Sequence, residues 1–256
     1  MLSLIHTIIL GIVEGITEFL PISSTAHLIL TADLLKLPQT EYLKSFEIVI
    51  QFGAILSVVA LYWRSLVDIE VLKRLVVAFI PTGIIGLLVY KFAKQYLLGN
   101  TSVVLWALLL GGIFIILFEY FYKQRDDQSQ EIRSISYKHC LAIGLFQTIA
   151  IIPGVSRSAA TVIGGLLLGL SRKTIIEFSF LLAVPTMFAA TGLDLIKSAG
   201  SFSVDQLGFL AVGFVVSFVV ALLSIKFLLK YIKNHDFKAF GVYRIVIAIL
   251  FWLGIK

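Results

Sequence analysis

Long apolar runs broken by short polar stretches set the pattern of this chain. Six of them, at about 43–63, 75–92, 102–122, 174–197, 206–229 and 239–255, approach the roughly 20 residues a helix needs to cross a bilayer core. Two further pairs, 2–20 with 22–36 and 139–152 with 153–170, are too short or too interrupted to cross cleanly. A proline in a Ser-rich turn breaks each pair at its middle, LPISST at 20–25 and PGVSRS at 153–158. Non-helical backbone at membrane depth is tolerated where it is buried in protein or lines a wet cavity. Each pair therefore reads as a re-entrant hairpin that enters the membrane and turns back.

The halves repeat. EFLPISSTAH leads to SFEIVIQFGAI, and QTIAIIPGVSRSAAT leads to IEFSFLLAVPT, with 26 residues from Pro21 to Glu47 and 24 from Pro153 to Glu177. Three full spans separate the hairpins, so the second copy enters from the opposite side. Such inverted repeats set broken helices against each other near the midplane, where sites usually lie. The expectation is an all-α polytopic membrane protein of six full spans and two re-entrant helical hairpins, arranged as two inverted-topology repeats. Residues 1–256 form a single membrane domain, with repeat 1 at about 1–122 and repeat 2 at about 139–256.

Composition agrees: 59% of residues are hydrophobic and 14% charged, against about 45–50% and 25% in soluble domains. Charge then orients the chain. Segments 64–74, 123–138 and 226–238 carry eleven basic residues, including Arg64, Arg133 and Lys238. The alternate segments carry four, Lys91, Lys94, Lys197 and Lys256. The positive-inside rule places the first set, loop 123–138 included, in the cytoplasm. The first residues lack a basic n-region and a small-residue cleavage site, so they read as part of the fold rather than a signal peptide. Cys140 is alone and reads as a small buried side chain. No basic stripe points to nucleic acid.

Ionisable groups in hydrocarbon cost about 2.5–3.5 kcal/mol each, and here they gather at the two turns. The first holds Glu14, Glu18, Ser23, Ser24, Thr25 and His27; the second holds Gln147, Ser156, Arg157, Ser158 and Thr161. Glu14 and Glu18 share a helix face and repel unless a proton, a divalent cation or an arginine lies between them. Oxygen ligands of this kind suit Mg²⁺ or Ca²⁺. One of the three hydroxyls at 23–25 serves as an N-cap, which leaves two for other work. The start of a helix also directs N–H groups at an anion, and the Arg157 fork matches phosphate. His6, His139 and His235 read as interfacial, and Arg172 with Lys173 as a cytoplasmic loop. Glu47, Gln51, Glu177 and Asp194 read as supporting polar groups.

This inventory suits cleavage of a phosphate ester or anhydride, which is mostly positioning and charge stabilisation. Ser24 would attack and His27 accept its proton, or His27 would itself be the nucleophile. Arg157 would stabilise the developing charge, and Glu14 or Glu18 would hold the metal or orient His27. Ser23, Thr25, Ser156, Ser158 and Thr161 would bind phosphate.

With EGITEFLPISSTAH at 14–27 and PGVSRSAAT at 153–161, supported by FEIVIQFGAILSVV and EFSFLLAVPTMFAAT, the chain resembles the bacterial undecaprenyl pyrophosphate phosphatases, the bacitracin-resistance phosphatases, over essentially its whole length. The resemblance implies hydrolysis of undecaprenyl diphosphate to the monophosphate carrier used for peptidoglycan. It also implies divalent-cation dependence, bacitracin resistance, and a site in the bacterial cytoplasmic membrane reachable from the outer face. It puts the family's functional residues on Glu14, Glu18, Ser24, His27 and Arg157. Ala26 and Ala159 stand where that family usually has Gly, and a methyl there is expected to narrow the pocket or alter the rate. The expected partners are the polyprenyl diphosphate lipid and the bilayer, with a homodimer left open. The competing class is a flippase or transporter for the same kind of lipid, which needs anion binding but no aligned nucleophile.

Overall fold

Short polar caps start most of the helices. Ser3, Thr40, Asn100 and Ser136 each accept a backbone N–H from the first turn of the helix they precede. The computed structural model describes residues 2–97, 100–122, 131–198 and 204–254, and no strand occurs among them. Its helices are α1 (Leu4–Thr17), α2 (Ser24–Leu34), α3 (Glu41–Leu66), α4 (Ile69–Phe92), α5 (Thr101–Phe121), α6 (Tyr137–Thr148), α7 (Arg157–Leu167), α8 (Arg172–Ser198), α9 (Val204–Tyr231) and α10 (Lys238–Trp252). Five of these, α3, α4, α5, α8 and α9, contain stretches long and apolar enough to cross a bilayer, so this is a multi-pass membrane protein.

The sixth expected span, 239–255, holds α10, whose 15 residues make it shorter than those five. The two broken stretches fall where expected, as α1 with α2 and α6 with α7. Lys123, Arg125 and Lys256, and the side chains of Lys94, Asp194 and Lys197, lie outside the described part.

Helix α9 packs along α1 and α3, α4 along α6 and α8, and α5 along α10. Small residues let these backbones approach closely. A Cβ on Gly15 would stand 2.8 Å from the Ser217 carbonyl oxygen of α9, and one on Gly144 would run into the Ala78 carbonyl of α4. Hydroxyls bridge the same seams. Ser217 Oγ donates to the Ile50 carbonyl at 2.7 Å, Ser224 Oγ to that of Ile16 at 2.9 Å, and Thr82 Oγ1 to that of Gly144 at 3.0 Å. Cys140 is buried in the main apolar cluster, as expected. Phe19 anchors the first Pro-Ser turn there, edge-on to Phe180 of α8 at 5.3 Å.

Candidate functional site

Both Pro-Ser turns end in the same backbone device. Ser23 has φ 72° and ψ 97°, and Ser156 has φ 79° and ψ 112°. Left-handed serines are uncommon and persist only where the surroundings hold them; they cluster at functional sites. Each caps its helix, Ser23 Oγ accepting from the Ala26 N–H and Ser156 Oγ from the Ala159 N–H. Gly154, at φ 95°, lets the second turn press against α5, where a Cβ would come within 2.8 Å of the Val104 carbonyl oxygen. The turns are also tied to each other, since Ser158 Oγ donates to the Leu20 carbonyl at 2.9 Å.

The residue after each cap faces its counterpart through Glu18. Arg157 Nη2 donates to Glu18 Oε1 at 2.8 Å, and Ser24 Oγ donates to Glu18 Oε2 at 2.5 Å. Arg157 is further held by Nη1 on the Ser179 carbonyl at 2.9 Å, while its buried Nε–H has no acceptor among the described residues. The arginine of the second hairpin thus reaches the Glu pair, and it sits on Glu18. Glu14 lies against Glu18 and near Glu47, fully buried and behind the cavity wall rather than on it.

Glu18, Ser23, Ser24, Thr25, Ser156 and Arg157 line one cavity of about 750 Å³, with Gln51 and Gln147 beside them. Its remaining wall is mostly apolar, from Phe79 to Leu87 of α4 and from Met187 to Ala190 of α8. Gln147 Nε2 donates to Thr82 Oγ1 at 2.8 Å, which fixes the α4 wall to α6. A charged, hydroxyl-rich end with two helix N-termini and a long greasy wall suits an amphiphile with an anionic head.

Four expectations are corrected. Ser24 and His27 do not pair: Ser24 turns to the carboxylate, a stronger acceptor than a ring nitrogen. His27 instead places Nδ1 2.7 Å from the Ser23 carbonyl and Nε2 2.9 Å from Tyr243 Oη. Ser158 and Thr161 do not line the cavity, because their hydroxyls bond Leu20, Arg157, Ser158 and Ser179 within the packed turn. The methyl of Ala26 packs with Leu30, Val104 and Leu108, and that of Ala159 joins the main cluster; neither narrows the cavity. Arg172 marks no simple loop: it is buried, and grips Glu119 with two bonds of 2.6 Å.

Two residues escaped the sequence reading. Arg244 of α10 is fully buried and donates to five carbonyls, those of Pro21, Ala107, Leu108, Gly154 and Val155. It thereby holds both turns against α5. An arginine inside an apolar run was a visible signal, by the same cost argument that singled out Arg157. Tyr243, its neighbour, gave none, since tyrosine is ordinary in such a run.

The geometry is that of a membrane protein with a cavity suited to an amphiphile with an anionic head. Residues 7–250 match the family described as bacitracin resistance protein BacA, and the chain belongs to that family. Among curated relatives, the undecaprenyl-diphosphatase of Aquifex aeolicus is 54% identical over 247 residues, 96% of each chain. That of a Sulfurihydrogenibium species is 50% identical over 252 residues, 98% of this chain and 99% of its own. That of Wolinella succinogenes is 50% identical over 251 residues, 98% and 97% of the two.

Proposed function

We infer that the chain is a hydrolase that converts undecaprenyl diphosphate to undecaprenyl phosphate and inorganic phosphate. This recycles the carrier for peptidoglycan synthesis and confers bacitracin resistance. The activity is that named for relatives 50% to 54% identical across nearly the full length. The observation that carries it on this chain is the convergence of Ser24, Glu18 and Arg157 on one cavity with an apolar wall.

Ser24 Oγ is the nucleophile and Glu18 Oε2 its base, already joined at 2.5 Å. As Oγ bonds to the terminal phosphorus, its proton passes to Glu18, and the bond to the bridging oxygen breaks to release undecaprenyl phosphate. Water then displaces the phosphoryl group from Ser24, which takes the proton back. Arg157 and the N–H groups at the starts of α2 and α7 stabilise the equatorial charge. Both ring nitrogens of His27 are engaged elsewhere, which favours Ser24 over a phosphohistidine. Ser23, Thr25 and Ser156 contact the head group from the cavity wall.

A divalent cation, Mg²⁺ or Ca²⁺, fits this arrangement. Glu18 lines the cavity with Glu14 directly behind it, so the pair offers hard carboxylate oxygens at the cavity wall. Among the described residues no three metal-ligating side chains converge, so substrate phosphate oxygens would complete the shell. When bound, the ion would neutralise phosphate charge and screen the carboxylates from it.

The fold reading is two inverted-topology repeats of three spans and a re-entrant hairpin each. Supporting it, α2 and α7 are both 11 residues long behind left-handed serine caps, and α9 on α1 mirrors α4 on α6. The site opens to the outer face of the bacterial cytoplasmic membrane. Arg64, Arg133 and Lys173, interleaved with Asp68, Glu131 and Glu177, line a second cavity by Val71 at the start of α4, whereas the site cavity reaches Leu87 near its other end; the positive-inside rule counts only the Lys and Arg. With the basic end in the cytoplasm, the site faces out.

The test is phosphate release from undecaprenyl diphosphate by the purified protein in detergent, with and without Mg²⁺ or Ca²⁺. Metal-dependent release supports the whole reading. A folded protein that binds the lipid and releases nothing would overturn it and favour transport.

A further inference from the structure

The mechanism leaves His27 without a chemical step, although it stands three residues after the nucleophile and is nearly buried. Its hydrogen bonds say what it does. A carbonyl can only accept, so Nδ1, 2.7 Å from the Ser23 oxygen, carries the ring proton and donates it. In the neutral ring Nε2 is then an acceptor, and the Tyr243 hydroxyl donates to it at 2.9 Å. The two rings are parallel within 7°, their centroids 5.4 Å apart. We propose that His27 and Tyr243 are positioning residues, a strut from α10 that holds the Ser23 carbonyl and so delivers the Ser24 hydroxyl to Glu18. The assignment rests on the phosphatase reading.

The Ser23 carbonyl accepts twice, from His27 Nδ1 and from the His27 backbone N–H at 3.2 Å. Such a double grip fixes the peptide plane that leaves a left-handed residue, and that plane sets where Ser24 begins. The second turn gives an internal comparison. Ser156 has nearly the same backbone, yet among the described residues its carbonyl takes a single bond, from the Ala160 N–H at 3.1 Å. Ala160 occupies the place of His27 there. The residue after Ser156 is Arg157, whose long side chain finds its own geometry. A serine hydroxyl has one torsion to aim with, and its bond to Glu18 is 2.5 Å long, so small backbone drift breaks the alignment. The strut stands at the turn that needs it.

Two substitutions separate a strut from a base. His27→Asn puts an amide N–H near the place of Nδ1 but cannot take up a proton; His27→Ala offers neither. Tyr243→Phe keeps the stacked ring and removes only the hydroxyl. Phosphate release from undecaprenyl diphosphate in detergent, as separate kcat and KM, is the readout, with melting temperature as the control for folding. We expect His27→Asn to exceed His27→Ala in kcat by about tenfold, the worth of one well-aligned hydrogen bond in the transition state. Tyr243→Phe should lose about three- to tenfold in kcat with KM nearly unchanged. Equal inactivity of Asn and Ala variants that melt like the parent would make His27 a proton carrier and overturn the proposal. So would parental kcat in Tyr243→Phe, which decides the matter should the Ala variant fail to fold. A parent that releases no phosphate would instead overturn the phosphatase reading, and this assignment with it.

Discussion

Two guanidinium–carboxylate pairs, one buried and one partly buried, lie in different parts of this molecule and are built to opposite ends. Arg172 and Glu119 meet through two bonds of 2.6 Å, and the Phe237 N–H adds a third to Glu119 at 3.1 Å. Tyr122 and Phe237 face the guanidinium within 5.5 Å. Arg157 and Glu18 meet through one bond, the second carboxylate oxygen takes the Ser24 hydroxyl, and Arg157 Nε–H has no acceptor among the described residues, beside a cavity. A closed pair whose partners are satisfied by one another locks helix ends together. An incomplete pair with a hydroxyl on one side and space on the other is poised for a ligand.

The contrast can be broken from either side. The largest effect should come from Glu119→Ala, which strands a buried arginine and should cost about 3–5 kcal/mol of stability in a detergent unfolding assay. Activity per folded molecule should stay near parental. Arg157→Ala should do the reverse. It removes a stabiliser of the transferring phosphoryl group and should lower kcat by about 10²–10³, or roughly 2.7–4 kcal/mol of barrier, with a smaller change in melting. If Glu119→Ala proved equally inactive per folded molecule, the division into lock and site would be wrong. The smallest effect should be that of Ser158→Ala. This breaks the bond to Leu20 between the turns and should cost about 1 kcal/mol of stability, with any loss of activity restored by Ser158→Thr.

The same contrast shows what the sequence could and could not reveal. Proline and serine at 20–25 and 153–158 announced two broken helices, because a proline within a run of helix formers has few other uses. The cost of charge in lipid made Glu18 and Arg157 conspicuous, and with them the chemistry. Partners were harder to read. Ser24 and His27 suit each other by spacing, but the winner was a carboxylate just past the end of α1, brought close by the fold of the turn. Arg172 looked like a loop residue because its partner, Glu119, lies 53 positions away on α5. Tyr243 reaches His27 across 216 positions, and no local pattern carries that information. Hydroxyls mislead in a similar way: Ser158 and Thr161 share the composition of a phosphate nest, yet their oxygens are consumed by backbone and by Ser179. The missed Arg244 serves carbonyls that its own turns leave open, a demand visible only once those turns are formed.

The most direct test of the central claim, that the two turns build one site around Ser24, is the rate of phosphate release by Ser24→Ala. With parental melting and lipid binding, the account predicts a loss of at least about 10³-fold, since removal of a nucleophile leaves only charge stabilisation and positioning. A folded Ser24→Ala variant that kept about a tenth or more of the parental rate would contradict it, because one hydrogen bond to Glu18 is worth no more than that.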